Sequence, residues 1–210
     1  MLNKIIAAAV LAALSAGASA AVISSGVPAA ANLVADGDFE TTGLAAGNWV
    51  PLSNADSAAA GWTATNGLEI RNAVVGDAQH GSNFAELDVS ANSTISQSFA
   101  TVVGQQYLLS FWVQDRAGVA ASSQGIDYTV NGTTNSVLGG SVAGWTQVTE
   151  TFTAGSGSTL LAFAATGTSD SLGTSLDNIS VTAVPEPATF ALMASGLALL
   201  GLSRRRRTHG

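Results

Sequence analysis

The residues that could do chemistry in this chain are few and of distinct kinds. Four tryptophans, Trp49, Trp62, Trp112 and Trp145, are its largest apolar rings. An exposed indole can stack on a sugar while neighbouring polar groups bond the hydroxyls. Trp62 and Trp112 fall in strand-like stretches and read as core. Trp49 falls in Gly47-Asn48-Trp49-Val50-Pro51, which reads as a loop, and is the stacking candidate. Tyr128, Asp115 and Arg116 are candidate polar partners for a bound carbohydrate. Packing is the competing role for each. Hydrolytic chemistry has less to work with. His80 is the one histidine outside the C-terminal tail, it sits in a turn-like His-Gly-Ser, and there is no Gly-x-Ser-x-Gly elbow. Glu69, Glu86, Asp88 and Glu150 could form a glycosidase pair, but their separations cannot be read from sequence. Glu86 and Asp88 fall on one strand face, about 7 Å apart, and read equally as an exposed acidic face. No catalytic residue is assigned, and the chain is expected not to be an enzyme.

Composition narrows the partners. There is no cysteine, which excludes disulfides, zinc-thiolate sites and thiol catalysis. Of the seven basic residues, Lys4 and Arg204 to Arg207 lie near the termini. Only Arg71 and Arg116 remain in the body, against every acidic residue except Glu186. Nucleic acid is therefore not an expected partner, because phosphate binding needs a basic stripe. Calcium suits such a carboxylate-rich body.

The elements that must position these side chains read as strands. Phe84 to Val89 alternates, as does Thr94 to Val102. Tyr107 to Val113 is apolar on nearly both faces and reads as a central strand. Ile126, Tyr128 and Val130 alternate with polar residues before an Asn131-Gly132 hairpin turn. Trp145 to Phe152, Thr159 to Ala165 and Leu176 to Thr182 complete the set. About eight strands with Gly-rich turns predict an all-β, antiparallel two-sheet jelly-roll sandwich.

The two ends read as signals. Lys4, the apolar Ile5 to Leu14 and Ala18-Ser19-Ala20 form a secretory signal peptide, residues 1–20, with cleavage expected after Ala20. Residues 21–31 read as a linker. At the other end Pro185-Glu186-Pro187 precedes an apolar run, Ala188 to Leu202, and the cluster Arg204, Arg205, Arg206 and Arg207. The run predicts a single transmembrane-type helix with its arginines on the cytoplasmic side. Order, spacing and composition over residues 184–207 resemble the PEP-CTERM sorting tail of exported proteins of Gram-negative bacteria, with 208–210 as a short extension. That resemblance implies an exosortase-type protease as partner, a transient inner-membrane anchor before processing, and a final place on the cell surface or in the extracellular matrix. An ordinary single-pass anchor is the alternative.

The body, residues 32–183, carries its own resemblance. Asp36-Gly37-Asp38-Phe39-Glu40 opens it, Gly61-Trp62-Thr63 and Gly104-Gln105-Gln106-Tyr107 punctuate it, and Ser175-Leu176-Asp177-Asn178 closes it. The series resembles the galactose-binding-like jelly rolls used by many carbohydrate-binding modules. The resemblance implies first and last strands side by side, with a structural calcium there. Glu40 and Asp177 would give carboxylates, and the backbone around Gly37 and Asp38 would add carbonyls. The competing role for these acids is as solvated turn residues. The expected function is that of a non-catalytic surface or matrix protein, and the PEP-CTERM resemblance implies its association with exopolysaccharide in biofilm or floc formation. The alternatives are a purely structural matrix protein and a polysaccharide-active hydrolase.

Overall fold

The computed structural model describes residues 31–185. The signal peptide, the linker up to residue 30 and the tail from Glu186 onward, including its predicted transmembrane-type helix, lie outside the described residues. Eleven strands occur in the order β1 (Asn48–Leu52), β2 (Thr63–Ala64), β3 (Leu68–Asn72), β4 (Phe84–Glu86), β5 (Thr94–Ala100), β6 (Gln106–Gln114), β7 (Gly125–Val130), β8 (Thr133–Leu138), β9 (Thr146–Thr153), β10 (Ser158–Ala165) and β11 (Ser175–Ala183). They form a six-stranded sheet, β1-β3-β4-β11-β6-β9, and a five-stranded sheet, β2-β5-β10-β7-β8. Every pairing is antiparallel, so the body is an all-β two-sheet sandwich. Among the described residues the one α-helix, α1 (Asn54–Ala59), is short and starts on a reciprocal cap between Ser53 and Asp56. Among the described residues no helix is long and apolar enough to cross a membrane.

The core follows from period-two alternation. Leu109, Phe111 and Val113 of β6 point inward and are fully buried, as are Leu161 and Phe163 of β10 and Leu176 and Val181 of β11. Trp62 is fully buried among them, stacked on Phe39 and edge-on to Phe163, and its indole N–H donates to the Asp36 carbonyl at 3.1 Å. Trp112 departs from the expectation of a core residue. It alternates with Phe111 and Val113, lies opposite Asp177, and is only half-buried on the outer face of the six-stranded sheet.

Three strands were not apparent as such in the sequence: β1, β3 and β8. Trp49, expected in a loop, stands on β1, an edge strand whose Pro51 is tolerated because an edge can lack one N–H donor. The alternation at Phe84 to Val89 yields a strand of only three residues. Asn131-Gly132 makes the predicted turn, with both residues at positive φ, as a two-residue hairpin needs.

The opening and closing motifs do meet. Asn32 donates to the Ile179 carbonyl and accepts from Val181 N–H, and Leu33 N–H donates to the Val181 carbonyl. Gly37 lies against β11 so closely that a Cβ there would stand 2.1 Å from the Ile179 carbonyl oxygen. That approach accounts for glycine between the two aspartates. The Gly37 carbonyl in turn accepts from Ile179 N–H at 2.8 Å.

Candidate functional site

A cleft of about 420 Å³ opens on the outer face of the six-stranded sheet, at its β1 edge. Two cross-strand pairs build its floor. Trp49 faces Arg71 and Pro51 faces Glu69, which puts all four side chains on the sheet's outer face. Arg116, from the loop after β6, and Ser171, from the loop after β10, supply the far wall, and Val74 and Val89 add apolar surface. Trp49 is 54 % exposed, so an indole lies open beside two guanidinium groups and a carboxylate.

The charges are organised from beneath. Glu69 and Glu86 are direct cross-strand neighbours, an arrangement that is repulsive by itself. Arg71 lies between them, donating from Nε to Glu69 and from Nη2 to Glu86. Glu86 has no exposed surface; it also accepts the Gly173 N–H at 2.5 Å and lies 3.8 Å from Arg116 Nη1. Burial pushes the Glu86 carboxyl above the usual range, against the opposing pull of Arg71 and the Gly173 N–H. Burial lowers Arg116, and repulsion from Arg71 adds to it. Arg116 is placed by its own backbone, whose N–H donates to Gln124, and by a long hydrogen bond from Nη1 to the Ser171 carbonyl at 3.4 Å. Arg71 is 3 % exposed, and its Nη1 has no hydrogen-bond partner. The site thus holds two arginines balanced by two glutamates, with accessible donor capacity left over on Arg116, while the unpartnered Arg71 Nη1 is itself buried.

Asp88 orders the Ser171 wall. Its Oδ2 accepts from Asp170 and Ser171 N–H at 2.8 and 2.7 Å, and its Oδ1 accepts from the Ser169 hydroxyl at 3.1 Å. The exposed acidic face envisaged for Glu86 and Asp88 is therefore absent. Both are buried and spend their oxygens on the chain segment 169–173.

Among the predicted sugar contacts, the cleft brings together Trp49 and Arg116. It does not include Asp115 or Tyr128. Asp115 is buried and accepts from Gly140 and Val142 N–H and from the Thr174 hydroxyl. Tyr128 is buried on β7, in the other sheet, edge-on to Phe111. Arg71 and Glu69 also line the cleft and were not among the predicted sugar contacts, Glu69 having been considered only for a glycosidase pair. The available signal for Arg71 was its rarity: it and Arg116 are the only basic residues in the body.

The residues foreseen for calcium do something else. Glu40 Oε1 accepts the Ser82 and Asn83 N–H groups at 2.5 and 2.7 Å, and its Oε2 accepts the Asn83 side-chain amide at 3.0 Å. Asp177 Oδ2 accepts the Gln79 and His80 N–H groups at 2.8 and 2.9 Å, and Oδ1 accepts Asn178 N–H at 2.6 Å. Asp38 is partly exposed, 3.8 Å from His80, and the Gly37 carbonyl is taken by Ile179. Donor hydrogens converge where a cation would require oxygen lone pairs, so this set does not fit a calcium shell. Among the described residues no group of three or more acidic or histidine side chains could hold a metal. The two acids, from opposite ends of the body, instead clamp one loop, Gln79 to Asn83. Burial outweighs the three N–H donors at Asp177 and raises its carboxyl to about 6.

A family model described as "Protein of unknown function (DUF642)" matches residues 32–182. The chain belongs to that family. Beyond this DUF642 body, the PEP-CTERM protein-sorting motif matches residues 183–207, which marks the protein as exported and transiently anchored at the membrane. Among solved structures, the Stig cyclase Fisc from Fischerella sp. TAU is 13 % identical, with 76 % of this chain and 100 % of that one covered at a TM-score of 0.56. At that identity the likeness speaks to the fold alone. TmCBM61, solved in complex with beta-1,4-galactotriose, is 16 % identical over 73 % of this chain and 99 % of its own at a TM-score of 0.45. A family 35 carbohydrate binding module from Clostridium thermocellum is 16 % identical over 64 % and 97 % at 0.41. No curated protein matches the DUF642 chain.

Proposed function

We propose that this exported DUF642 protein is a non-catalytic carbohydrate-binding protein whose cleft takes a neutral unit of an extracellular polysaccharide. One observation carries the reading: the open Trp49 indole, Glu69 and the body's only two arginines meet around a single cleft. A sugar ring offers an apolar face and a fringe of hydroxyls, each both donor and acceptor. Trp49 meets the face, the spare guanidinium donors of the partly exposed Arg116 meet hydroxyl oxygens, and Glu69, held from beneath by the buried Arg71, accepts hydroxyl hydrogens. The charge balance favours a neutral ring. Both arginines are already matched by Glu69 and Glu86, and the rest of the body is acidic, so a polyanion meets long-range repulsion. Binding matrix polysaccharide would give the protein a role in biofilm or floc cohesion.

Glu86, raised by burial beside Glu69, is what a hydrolase reading would need as its acid. It has no exposed surface and is held by Arg71 and Gly173, so it cannot reach a glycosidic oxygen. The test is a panel of neutral polysaccharides (galactan, xylan, β-glucan) and acidic ones (polyuronates), assayed by affinity electrophoresis and calorimetry. Retardation by at least one neutral polymer is expected. Binding confined to polyuronates, or to none, refutes the reading, and release of reducing ends refutes the non-catalytic part.

A further inference from the structure

The end of the sandwich from which the chain leaves toward its sorting motif differs from the rest of the domain. The exit is pinned: Val184 N–H donates to the Gln106 carbonyl at 2.9 Å, and Gln105 Nε2 donates to the Val184 carbonyl at 2.6 Å. The turn just before β6 therefore lies beside the exit. Two further turns are tied to it, by Gly104 N–H to the Ala154 carbonyl, Thr101 N–H to the Gly157 carbonyl, and the Asn131 amide to the Thr153 carbonyl.

Among the described residues this end carries no charge; Glu186 of the sorting motif follows it directly in the sequence. Residues 98–108, 129–134, 151–161 and 182–185 include no acidic or basic side chain, in a domain whose body is otherwise strongly acidic. It is also apolar at its tip. Val102 and Val103 are 67 % and 66 % exposed on the turn, and the exposed Leu108 and Leu160 flank them on the outer faces of the two sheets. They are four of the seven exposed large apolar side chains among the described residues. The segment Ala188 to Leu202 is apolar in sequence and begins four residues after Val184. Four residues reach at most about 14 Å even when fully extended. Whatever that segment enters must lie within that distance of Val184, which is hydrogen-bonded to the residues that follow the valine turn.

We propose that, during the anchored stage, this charge-free end rests on the lipid surface, with Val102 and Val103 entering the boundary between headgroups and acyl chains. Exposed valines gain by leaving water there. Acidic side chains at this end would be repelled by anionic lipids, and the described part of this end has none. The contact would fix the tilt of the sandwich on the membrane without help from the sugar cleft.

The chain has no cysteine, so single probes can be placed cleanly. Full-length protein carrying Val103→Cys or, as a control near the cleft, the exposed Ala117→Cys would be labelled with the polarity-sensitive dye NBD. Each would be reconstituted in vesicles of equal parts phosphatidylcholine and phosphatidylglycerol. The expected result is blue-shifted emission at 103, quenched by nitroxide-labelled lipid, with neither effect at 117. Emission at 103 indistinguishable from 117 overturns the proposal. So does a shift that appears in native envelope membranes but not in vesicles, which would mean a resident protein covers the turn. A second variant pairs Val102→Asp and Val103→Asp, both outside the core, with a probe at the exposed Ser156→Cys. Quenching at 156 should be lost, and persistent quenching would show that the valines do not make the contact.

Discussion

Replacing Trp49 by alanine should separate binding from stability, and the size of the effect can be worked from the structure. A buried aromatic side chain covers up to about 250 Å². Trp49 is 54 % exposed, which leaves roughly 130 Å² of that open to a ligand. A pyranose covers one of the two indole faces, so about 65 Å² leaves water on binding. At about 25 cal/mol per Å² that is ~1.6 kcal/mol, an affinity loss of about 15-fold. The fold should notice little, because β1 is an edge strand and the ring is outside the core. A half-exposed edge position changes stability by less than about 1 kcal/mol. Calorimetry against whichever polysaccharide wild type binds, with a urea melt of the same samples, measures both quantities. Affinity within two-fold of wild type (about 0.4 kcal/mol) would refute the stacking role. A large fall in the urea midpoint would show that Trp49 acts in folding instead.

Two further outcomes follow from the loop clamp and the close approach at β11. The Asp177 carboxyl should titrate near pH 6 by carbon-detected NMR, because burial lifts it to about 6 from the ordinary aspartate value of 3.8. Its share of stability is fully present below about pH 4 and declines by ~3 kcal/mol as pH rises through 6; a midpoint at or below 4 would mean that the three N–H donors outweigh burial. Gly37→Ala should lower stability by about 1–3 kcal/mol, read from the urea midpoint, because the new methyl meets the Ile179 backbone oxygen rather than a movable side chain; a change under about 0.5 kcal/mol would show that β11 yields there.

What the sequence disclosed depended on how each strand earns its burial. β7, β9 and β11 alternate apolar and polar residues against a shared core, so their periodicity is legible, while β6 and β10 show as short apolar runs bounded by turn residues. β8, Thr133 to Leu138, is an edge strand that is largely exposed, and its polar run carries no alternation to read. β1 hides behind Pro51, which usually argues against a strand. β3 did carry a signal. Leu68 and Ile70 face the core while Glu69 and Arg71 face out, but all five of its residues are buried, since the charged pair is covered by its own partners. The meeting of the chain's two ends was legible through its motifs. Its chemistry was not, because an acidic residue that accepts backbone N–H groups and one that binds a cation look identical until the donors are placed.

The position of the cleft relative to the chain exit ties the two proposals together. β6 serves as a ruler: its first residue, Gln106, accepts the exit hydrogen bond from Val184, and Arg116 follows two residues after its last. At about 3.3 Å per residue those ten steps span roughly 30 Å. The cleft therefore lies at the opposite end of the sandwich from the uncharged valine turn. Charge divides along the same axis: Arg116, Glu86, Asp88, Asp115 and Asp170 gather at the cleft end, while the exit end has none among the described residues. If the exit end rests on lipid, the sugar site points away from the membrane, where polymer is, and its buried ion pairs keep clear of the headgroups. Moving the acidic side chains to the other end would leave composition and net charge unchanged yet oppose both contacts. The segregation, rather than the acidity itself, is what suits a domain held at one end and binding at the other.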